Sequence, residues 1–456
     1  MRHRFRWVTA AALALTALLA SSALAAITWG NAPGAATGRV GPNFTWDNGD
    51  PVLDQHGTSN GLLSTGYVTD TINGVFAHDT NGPYMGTYYV RSTNDGGTWS
   101  KPFRLNPKGK HGDRLTLQAE GNVVVAAYMD QQKYYQGNTA TFDPSKPRNI
   151  FVRRNTNNGV KADWQAAVKL PGQTKQSRGD YLYMGASGTN FYLVTTNTAN
   201  GKIWLWRSTN SGGLWTGPTV IGTTTATDTA TGYVGGFSGL PAVAAAGEDV
   251  VVSWTNSNAG EVLAAVSDDA GASFGAATQL EATGGNANNG YVQAAGRDTR
   301  LAVTWTTAAG AFLRIYNTGT DAWLAERTIT TFPDPDPAVP DTLDDGGEGA
   351  VVALDAGNMV GVSLSECNTV QGNICNNAAL SLGSTRETLV WRESSDNGAN
   401  FSAASIVAPV TNNKGTYINN YGSAIFHEGS PYVLWNGHNA AYTAYSVQLR
   451  VGSGTP

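Results

Sequence analysis

The sequence contains a short motif that recurs along the chain, in which a polar residue, an Asn or Asp, a Gly and an aromatic residue follow one another. Its clear copies are "STNDGGTW" (92–99), "STNSGGLW" (208–215), "SDDAGASF" (267–274) and "SSDNGANF" (394–401). Its weaker copies are "NTNNGVKADW" (155–164) and "YNTGTDAW" (316–323). We call all six of them boxes. A repeated unit constrains architecture strongly, because each copy must form the same local structure and pack against its neighbours.

A second element also recurs, as an apolar run that begins at a turn residue and ends in polar ones. Its seven copies lie at 73–81, 122–130, 190–197, 249–256, 300–307, 358–365 and 431–438. Another apolar run, such as "TYYVR" or "KIWLWR", precedes each box. Short β-branched and aromatic runs separated by Gly, Asn and Asp are typical of strands joined by hairpins.

One unit therefore consists of four strands, A to D, with the box between strands C and D. A four-stranded unit repeated roughly every 50 to 70 residues predicts an all-β fold, a β-propeller of four-stranded antiparallel blades. We favour seven blades, with six as the alternative. The last unit has no box and lacks a strand D. The segment "AITWGNAPG" (26–34) could supply that strand and close the ring.

The polar groups of a box all have structural uses. Gly allows the positive φ that a tight hairpin needs, and Asn or Asp can accept backbone N–H bonds within the turn. The aromatic ring can be buried beneath the turn. A protein needs one active site rather than five or six copies. We therefore interpret the boxes as structural.

The first residues resemble an export signal. Three arginines (Arg2, Arg4, Arg6) precede an apolar run, and Ala23-Leu24-Ala25 has the spacing of a cleavage site. We expect a leader at 1–25, a single propeller domain at 26–456 and secretion. No later segment is long and apolar enough to span a membrane.

The charge of the chain argues against nucleic acid as a partner. Loss of three arginines leaves 26 of the 29 basic residues against 34 acidic ones, a net charge of about −8. Lys and Arg form no cluster, which disfavours polyanionic partners. We expect a monomer whose partner is a glycan or glycoconjugate.

Alternation of strand direction places the boxes and the A–B turns on one face, the box face. The D–A and B–C connections then share the opposite face, the loop face. The long, varied connections are 131–148, 171–179, 222–239, 331–349, 366–386 and 411–420, and all of them belong to the loop face. Such insertions on a rigid scaffold are common places for binding and chemistry.

The box pattern Ser-x-Asp-x-Gly-x-Thr-Trp resembles the Asp-box, or bacterial neuraminidase repeat, of the sialidase-like superfamily. "STNDGGTW" (92–99) matches it with Asn94 in the Asp position. The resemblance covers nearly the whole mature chain and implies a glycoside hydrolase similar to exo-alpha-sialidases. In that family, arginines bind the substrate carboxylate, a tyrosine assisted by a glutamate is the nucleophile, and an aspartate is the acid/base.

The resemblance implies roles for residues near the start of the inner strands. Tyr421 would be the nucleophile, Glu348 its partner and Asp113 the acid/base. The substrate-binding residues would be Arg114, Arg178, Asp180 and Tyr417. The chain departs from the family in lacking a Phe-Arg-Ile-Pro motif, since "FRLNP" (103–107) follows a box and belongs to strand D. A seventh blade would also depart from the six of sialidases.

Two other functions stay open. The chain could be a non-catalytic propeller that binds glycan or protein through its loop face. It could also be a surface scaffold whose acidic segment at 334–345 binds Ca²⁺, because that segment is rich in the oxygen ligands that Ca²⁺ prefers. We expect no other cofactor and no metal site.

The two cysteines, Cys367 and Cys375, lie close together in "SECNTVQGNIC". In an exported protein this spacing favours a disulfide that closes a short loop.

Overall fold

The computed structural model describes a set of ranges that cover most of the chain after the leader. These ranges are 27–31, 39–45, 62–65, 72–79, 85–108, 112–131, 148–174, 179–197, 199–224, 227–228, 233–234, 241–256, 260–282, 292–307, 309–331, 350–367, 387–408, 423–438 and 444–453. No helix in these ranges is long and apolar enough to cross a lipid bilayer.

The described strands form seven antiparallel sheets and one small hairpin. Two strands near the start of the chain, β1 (Thr28–Gly30) and β2 (Arg39–Thr45), belong to the last sheet. Blade 1 contains β3 (Leu62–Thr65), β4 (Ile72–Asp79), β5 (Met85–Ser92) and β6 (Phe103–Arg104). Blade 2 contains β7 (Asp113–Glu120), β8 (Val123–Gln131), β9 (Arg148–Asn155) and β10 (Val168–Lys169), with a single 3-10 turn (Lys161–Asp163) before β10. Blade 3 contains β11 (Gly179–Ser187), β12 (Asn190–Asn197), β13 (Lys202–Ser208) and β14 (Thr216–Thr223).

The hairpin β15 (Thr227–Asp228) and β16 (Tyr233–Val234) lies in the connection to the next blade. Blade 4 contains β17 (Ala242–Ala246), β18 (Asp249–Asn256), β19 (Glu261–Ser267) and β20 (Thr278–Gln279). Blade 5 contains β21 (Gln293–Arg297), β22 (Arg300–Thr307), β23 (Gly310–Asn317), β24 (Ala322–Trp323) and β25 (Arg327–Thr331). Blade 6 contains β26 (Val351–Leu354), β27 (Val360–Cys367), β28 (Glu387–Ser394) and β29 (Ser405–Ala408). Blade 7 contains β30 (Ser423–His427), β31 (Ser430–His438) and β32 (Ala444–Ser453), to which β1 and β2 are added.

The first strands of the seven sheets form a closed ring. Cα atoms of successive inner strands lie within 8 Å of one another in the order β3, β7, β11, β17, β21, β26, β30 and back to β3. Within each blade the hydrogen-bonded order follows the chain from strand A to strand D. The seven-bladed propeller is therefore confirmed, and the alternative of six blades is wrong. All seven predicted B strands are present, as β4, β8, β12, β18, β22, β27 and β31.

The hydrophobic core is divided among the seams between blades. Each of the seven clusters of buried residues combines side chains from two neighbouring blades. Between blades 2 and 3, for example, Trp206 and Trp215 pack with Val125. Because both faces of every sheet are covered, the strands are apolar along much of their length, as the sequence predicted.

The N-terminal strand closes the ring, as the sequence predicted. β1 pairs antiparallel with β32, with Thr28 opposite Ser453, and so becomes strand D of blade 7. β2 extends the same edge, with Thr45 opposite Ala444. Closure of this kind covers a sheet edge that could otherwise pair with another chain.

Trp29 on β1 packs in the seam between blades 6 and 7. Blade 7 is the blade that lacks a box. Its ring meets Trp391 edge to face, with 6.0 Å between centroids. Its Nε1 donates to Ser405 Oγ at 2.8 Å, and Ser405 Oγ donates to the Ile27 carbonyl at 3.0 Å. β1 therefore supplies to this seam a half-buried aromatic ring, as a box does at other seams.

The four clear boxes share one set of hydrogen bonds, which confirms that their polar groups hold the turn. In each, the Ser hydroxyl accepts the N–H of the Gly four residues later, at 2.8 to 3.0 Å. The same hydroxyl donates to the Asn or Asp two residues later, at 2.6 to 2.9 Å. That Asn or Asp then accepts a backbone N–H four residues further on, at 2.7 to 2.9 Å.

The acidic residues of the boxes are used by these turns. Hydrogen bonds from the hydroxyl and backbone N–H of Ser273 hold the pKa of Asp269 well below its usual range. Burial raises the pKa of Asp396, but hydrogen bonds from Ser394 and Asn400 outweigh it and lower the pKa overall. Both carboxylates are ionised acceptors within a turn, so neither is suited to be a general acid.

The two weaker boxes differ from each other. At 155–164, the buried Asn155 replaces Ser, and its Oδ1 accepts the N–H groups of Asn157 at 2.8 Å and Gly159 at 2.9 Å. At 316–323, the turn lies between β23 and β24, but it is held by Asn317 Oδ1, which accepts the Gly319 N–H at 2.9 Å. Only the first of the two therefore reproduces the box.

Glycine is required in the box of blade 3 for two reasons. Gly212 has a φ of 76°, which residues with a Cβ rarely adopt. A Cβ there would lie 2.6 Å from Val125 Cγ2 on the neighbouring blade. The box is thus both a turn and a contact across the seam.

The boxes and the A–B turns lie on the same face, as alternation of strand direction predicted. Ser211, Ala270 and Asn397 each donate a backbone N–H from a box to a carbonyl in the A–B turn of the same blade, at 2.7, 2.8 and 3.1 Å. The D–A and B–C connections therefore leave from the opposite, loop face.

We predict that Ser208→Ala lowers the free energy of unfolding by about 1 to 3 kcal/mol. Ser208 is 1% exposed, and its loss leaves the buried Gly212 N–H without its acceptor. Thr209→Ala, one exposed residue away, is the matched control and should change stability by less than about 0.5 kcal/mol. Denaturant-induced unfolding of both variants tests this, and equal midpoints would contradict it.

We predict that Trp29→Ala lowers the free energy of unfolding by about 2 kcal/mol, less than for a fully buried Trp because Trp29 is half-buried. The same variant should speed hydrogen exchange of the β32 amides that pair with β1. Val168→Ala, on the exposed edge strand of blade 2, is the control. Unchanged exchange in β32 would show that β1 does not close the ring.

Candidate functional site

Two neighbouring inner strands begin in the same way on the loop face. β7 begins at Asp113, which pairs with Met129, and β11 places Asp180 opposite Thr196. Each strand then has a register shift within three residues, between Asp113 and Thr116 and between Asp180 and Tyr183. Bulges are common beside active sites, because they redirect side chains at the end of a strand. The loop-face ends of blades 2 and 3 are therefore the candidate site.

The start of β7 is fixed by a close contact with blade 1. Gly112 is buried, and a Cβ on it would lie 2.6 Å from the side chain of Asn106 and 2.8 Å from Thr87 Oγ1. Asn106 Oδ1 accepts the Thr87 N–H at 2.9 Å, which anchors the D–A connection to strand C. The backbone that carries Asp113 and Arg114 is thus placed by buried polar groups.

Equivalent anchors occur after the outer strands of blades 2 and 4. Gln173 Oε1 accepts the Ile150 N–H at 2.7 Å, and its Nε2 donates to the Ile150 carbonyl at 3.0 Å. Glu281 accepts the Val262 N–H at 2.5 Å. Burial raises the pKa of Glu281 above its usual range. These side chains continue the pairing of strand D with strand C and fix where each connection leaves the sheet.

Tyr183 crosses the inside of the ring. It lies on β11, and its hydroxyl donates to the Ala294 carbonyl of β21, two blades away, at 3.1 Å. To reach the Ala294 carbonyl, the aromatic ring of Tyr183 passes β17, whose residues are one Val and four Ala. The aromatic ring contacts the hydrophobic clusters on both sides of β17. Burial raises the pKa of Tyr183 to about 12. Tyr183 is thus a protonated hydrogen-bond donor that links the inner strands of blades 3 and 5.

Many of the described arginines serve the fold. Those that donate to backbone carbonyls are Arg91, Arg153, Arg207, Arg300, Arg314 and Arg392. Arg104 lies on the outer strand β6, over the ring of Tyr88 and 3.0 Å from Asn106 Oδ1. This position confirms that "FRLNP" (103–107) belongs to strand D.

The predicted site residues are only partly within the described part of the chain. For Asp113, Arg114 and Asp180 the backbone places β7 and β11 side by side, while their side chains lie outside the described residues. The residues that lie outside entirely are Arg178, Glu348, Tyr417 and Tyr421, together with the acidic segment 334–345. Their roles stay predictions.

The disulfide also stays a prediction. Cys367 is the last residue of β27, at its loop-face end, and its side chain lies outside the described residues, as does all of Cys375.

Sequence reasoning missed Tyr183 as a link between inner strands two blades apart. The available signal was the run of small residues at 242–246, which leaves room for a ring to pass. The partner of Tyr183, Ala294, contributes only a carbonyl group, which no side-chain pattern marks.

Comparison with known proteins finds fold neighbours only. No protein-family profile and no curated protein matches the chain. Trypanosoma rangeli sialidase aligns with a TM-score of 0.48 and 12% identity over 91% of this chain and 59% of that one. The Hadza microbial sialidase Hz136 aligns with a TM-score of 0.47 and 9% identity over 87% of this chain and 66% of that one. The chain thus spans less than two thirds of the length of either sialidase.

The structure itself establishes the architecture and the turn chemistry. Seven antiparallel sheets form a closed ring, and the four clear boxes have the hydrogen bonds that their sequence pattern predicts. The chain is a seven-bladed β-propeller with repeated box turns.

Proposed function

We propose that this chain is a glycan-directed propeller that binds a polar, anionic sugar on its loop face. The observation that carries the proposal is the pair of neighbouring inner strands, β7 and β11, which each have an Asp within their first two residues and a bulge directly after it. Arg114 follows Asp113 directly in β7, and Arg178 immediately precedes β11. A guanidinium group binds a carboxylate through two parallel hydrogen bonds, so this pair of strands suits an acidic sugar.

The finer proposal is hydrolysis of the kind that exo-sialidases perform. Tyr421 would attack the anomeric carbon, Glu348 would take its proton, and Asp113 would protonate the leaving-group oxygen. A tyrosine suits an anionic sugar, because a carboxylate nucleophile would be repelled by the substrate charge. Arg114 and Arg178 would bind the sugar carboxylate, with Asp180 and Tyr417 beside them.

A second candidate function is binding without catalysis, of a glycan or a protein, through the same face. Six arginines donate to backbone carbonyls and so stabilise the fold. This favours binding without catalysis, because sialidase chemistry requires three arginines at one substrate carboxylate. The seventh blade favours it as well.

We also propose that the chain is exported and acts outside the cell. The basic start, the apolar run and the small-x-small site at 23–25 support this proposal.

We predict that the wild-type protein hydrolyses a fluorogenic sialoside and that Tyr421→Phe lowers kcat at least 100-fold, because the nucleophile is lost. Arg114→Lys should raise KM about tenfold or more, since Lys cannot bind a carboxylate in the bidentate manner of Arg. Steady-state kinetics on purified protein measures both effects.

Leu214→Ala is the matched control, because Leu214 is exposed in a box on the opposite face; its kinetics should equal those of the wild type. Binding of a sialyl-oligosaccharide without turnover, lost in Arg114→Lys, would establish the non-catalytic alternative. Absence of both turnover and binding would refute the proposed glycan function.

A further inference from the structure

The seam between the last and the first blade contains a cluster of three potential metal ligands on the box face. His427 ends β30, and its Nε2 lies 2.8 Å from Oδ1 of Asp95 in the box of blade 1. Glu428 follows His427 in the A–B turn of blade 7. Each of the three residues offers one ligand atom, and these atoms all lie within 4.8 Å of one another. The cluster is remote from the loop face, where the proposed function is located.

This seam differs from two other seams at the corresponding position. At two seams an arginine that precedes a box reaches the box of the next blade: Arg91 donates to the Asn158 carbonyl at 2.7 Å and Arg207 to the Ala270 carbonyl at 3.1 Å. Asn158, Ala270 and Asp95 occupy the same left-handed position of their boxes. At the closing seam the contact is instead made to the Asp95 side chain, and it comes from a histidine.

Asp95 occupies a position that is uncharged in four other boxes, and Glu428 occupies a position that is Gly in blades 2, 3 and 4 and Asp298 in blade 5. The left-handed position holds Asn158, Ser211, Ala270 or Asn397 in four of the other boxes, whereas the left-handed residue in the differently held box at 316–323 is Asp321. The first residue of the A–B turn is Gly121, Gly188 or Gly247 in blades 2, 3 and 4, whereas blade 7 has Glu428 there with a φ of 49°. Within the described part of the chain, two carboxylates converge on one imidazole at the seam where the two ends of the propeller meet.

The packing positions the imidazole while leaving access for an ion. His427 is 7% exposed, and its ring meets Tyr432 edge to face with 5.5 Å between centroids. Glu428 is exposed, so one side of the cluster faces solvent. Burial, together with the negative charges of Asp95 and Glu428, raises the pKa of Tyr432 above its usual range. The cluster thus combines a fixed nitrogen ligand with concentrated negative charge.

We propose that Asp95, His427 and Glu428 bind a divalent transition-metal ion, with Zn²⁺ as the preferred ion, and that this ion ties blade 7 to blade 1. One imidazole nitrogen with two carboxylate oxygens suits Zn²⁺ better than Ca²⁺ or Mg²⁺, which take oxygen ligands. Ligand atoms about 2.0 to 2.2 Å from Zn²⁺ lie about 3 Å or more apart. The His427–Asp95 hydrogen bond is close to that spacing, so a small opening would admit the ion.

Titration of the EDTA-treated full-length protein with ZnCl₂ by calorimetry tests the proposal, and thermal unfolding with and without Zn²⁺ accompanies it. We expect one Zn²⁺ per chain and a rise in Tm of several degrees, because an ion that binds only the folded state stabilises it. Asp95→Asn and His427→Gln should each weaken binding at least tenfold and remove the rise in Tm. Glu248→Gln is the matched control, since Glu248 is an exposed glutamate in the A–B turn of blade 4.

The variants are chosen to keep the fold. Asn at position 95 retains an oxygen acceptor and tolerates the left-handed conformation, and Gln at position 427 retains an N–H donor. If either variant is unfolded in EDTA, Glu428→Gln at the exposed position decides, with an expected loss of affinity of several-fold. Absence of one-to-one Zn²⁺ binding by the wild type, or equal binding by the folded variants, would overturn the proposal.

Discussion

The antiparallel pairing of β1 with β32 is the interaction on which the rest of the structure depends. A propeller blade covers its two faces only when the ring is complete, because each core cluster combines side chains of two neighbouring blades. The pairing adds few hydrogen bonds of its own, over Thr28–Gly30. The pairing stabilises the fold by more than these hydrogen bonds, because it also brings Ile27 and Trp29 into the seam between blades 6 and 7.

Closure also divides the molecule into two faces with different properties. On the box face, short turns are held by buried hydroxyl and amide groups and by contacts between neighbouring blades. On the loop face, the sheets end where buried side chains such as Asn106, Gln173 and Glu281 fix the direction of the connections. The rigid blades and box face thus support loop-face connections of variable length. Binding sites are common on such connections.

Local chemistry explains why so much of the fold could be predicted. The Ser208 hydroxyl meets the Gly212 N–H four residues away, and Asn155 replaces that hydroxyl with an amide at the same spacing. Interactions of such short range leave a pattern that can be recognised in the sequence. The box at 316–323 shows the limit, because a Gly and an aromatic residue are present while the turn is held differently. The candidate site could be predicted only to the level of a face and the starts of two strands.

The sequence by itself determined the strand pattern, the position of the turns, the seven-fold repeat and the strand that closes the ring. Each of these follows from residues that interact with near neighbours or repeat the same unit. Only the tertiary structure decided that the Tyr183 hydroxyl donates to the Ala294 carbonyl two blades away, that Trp29 meets Trp391, and that His427 meets Asp95. These partners lie 111 to 362 residues apart along the chain. They are brought together by the packing of the blades around the ring, and no local pattern encodes which side chains meet there.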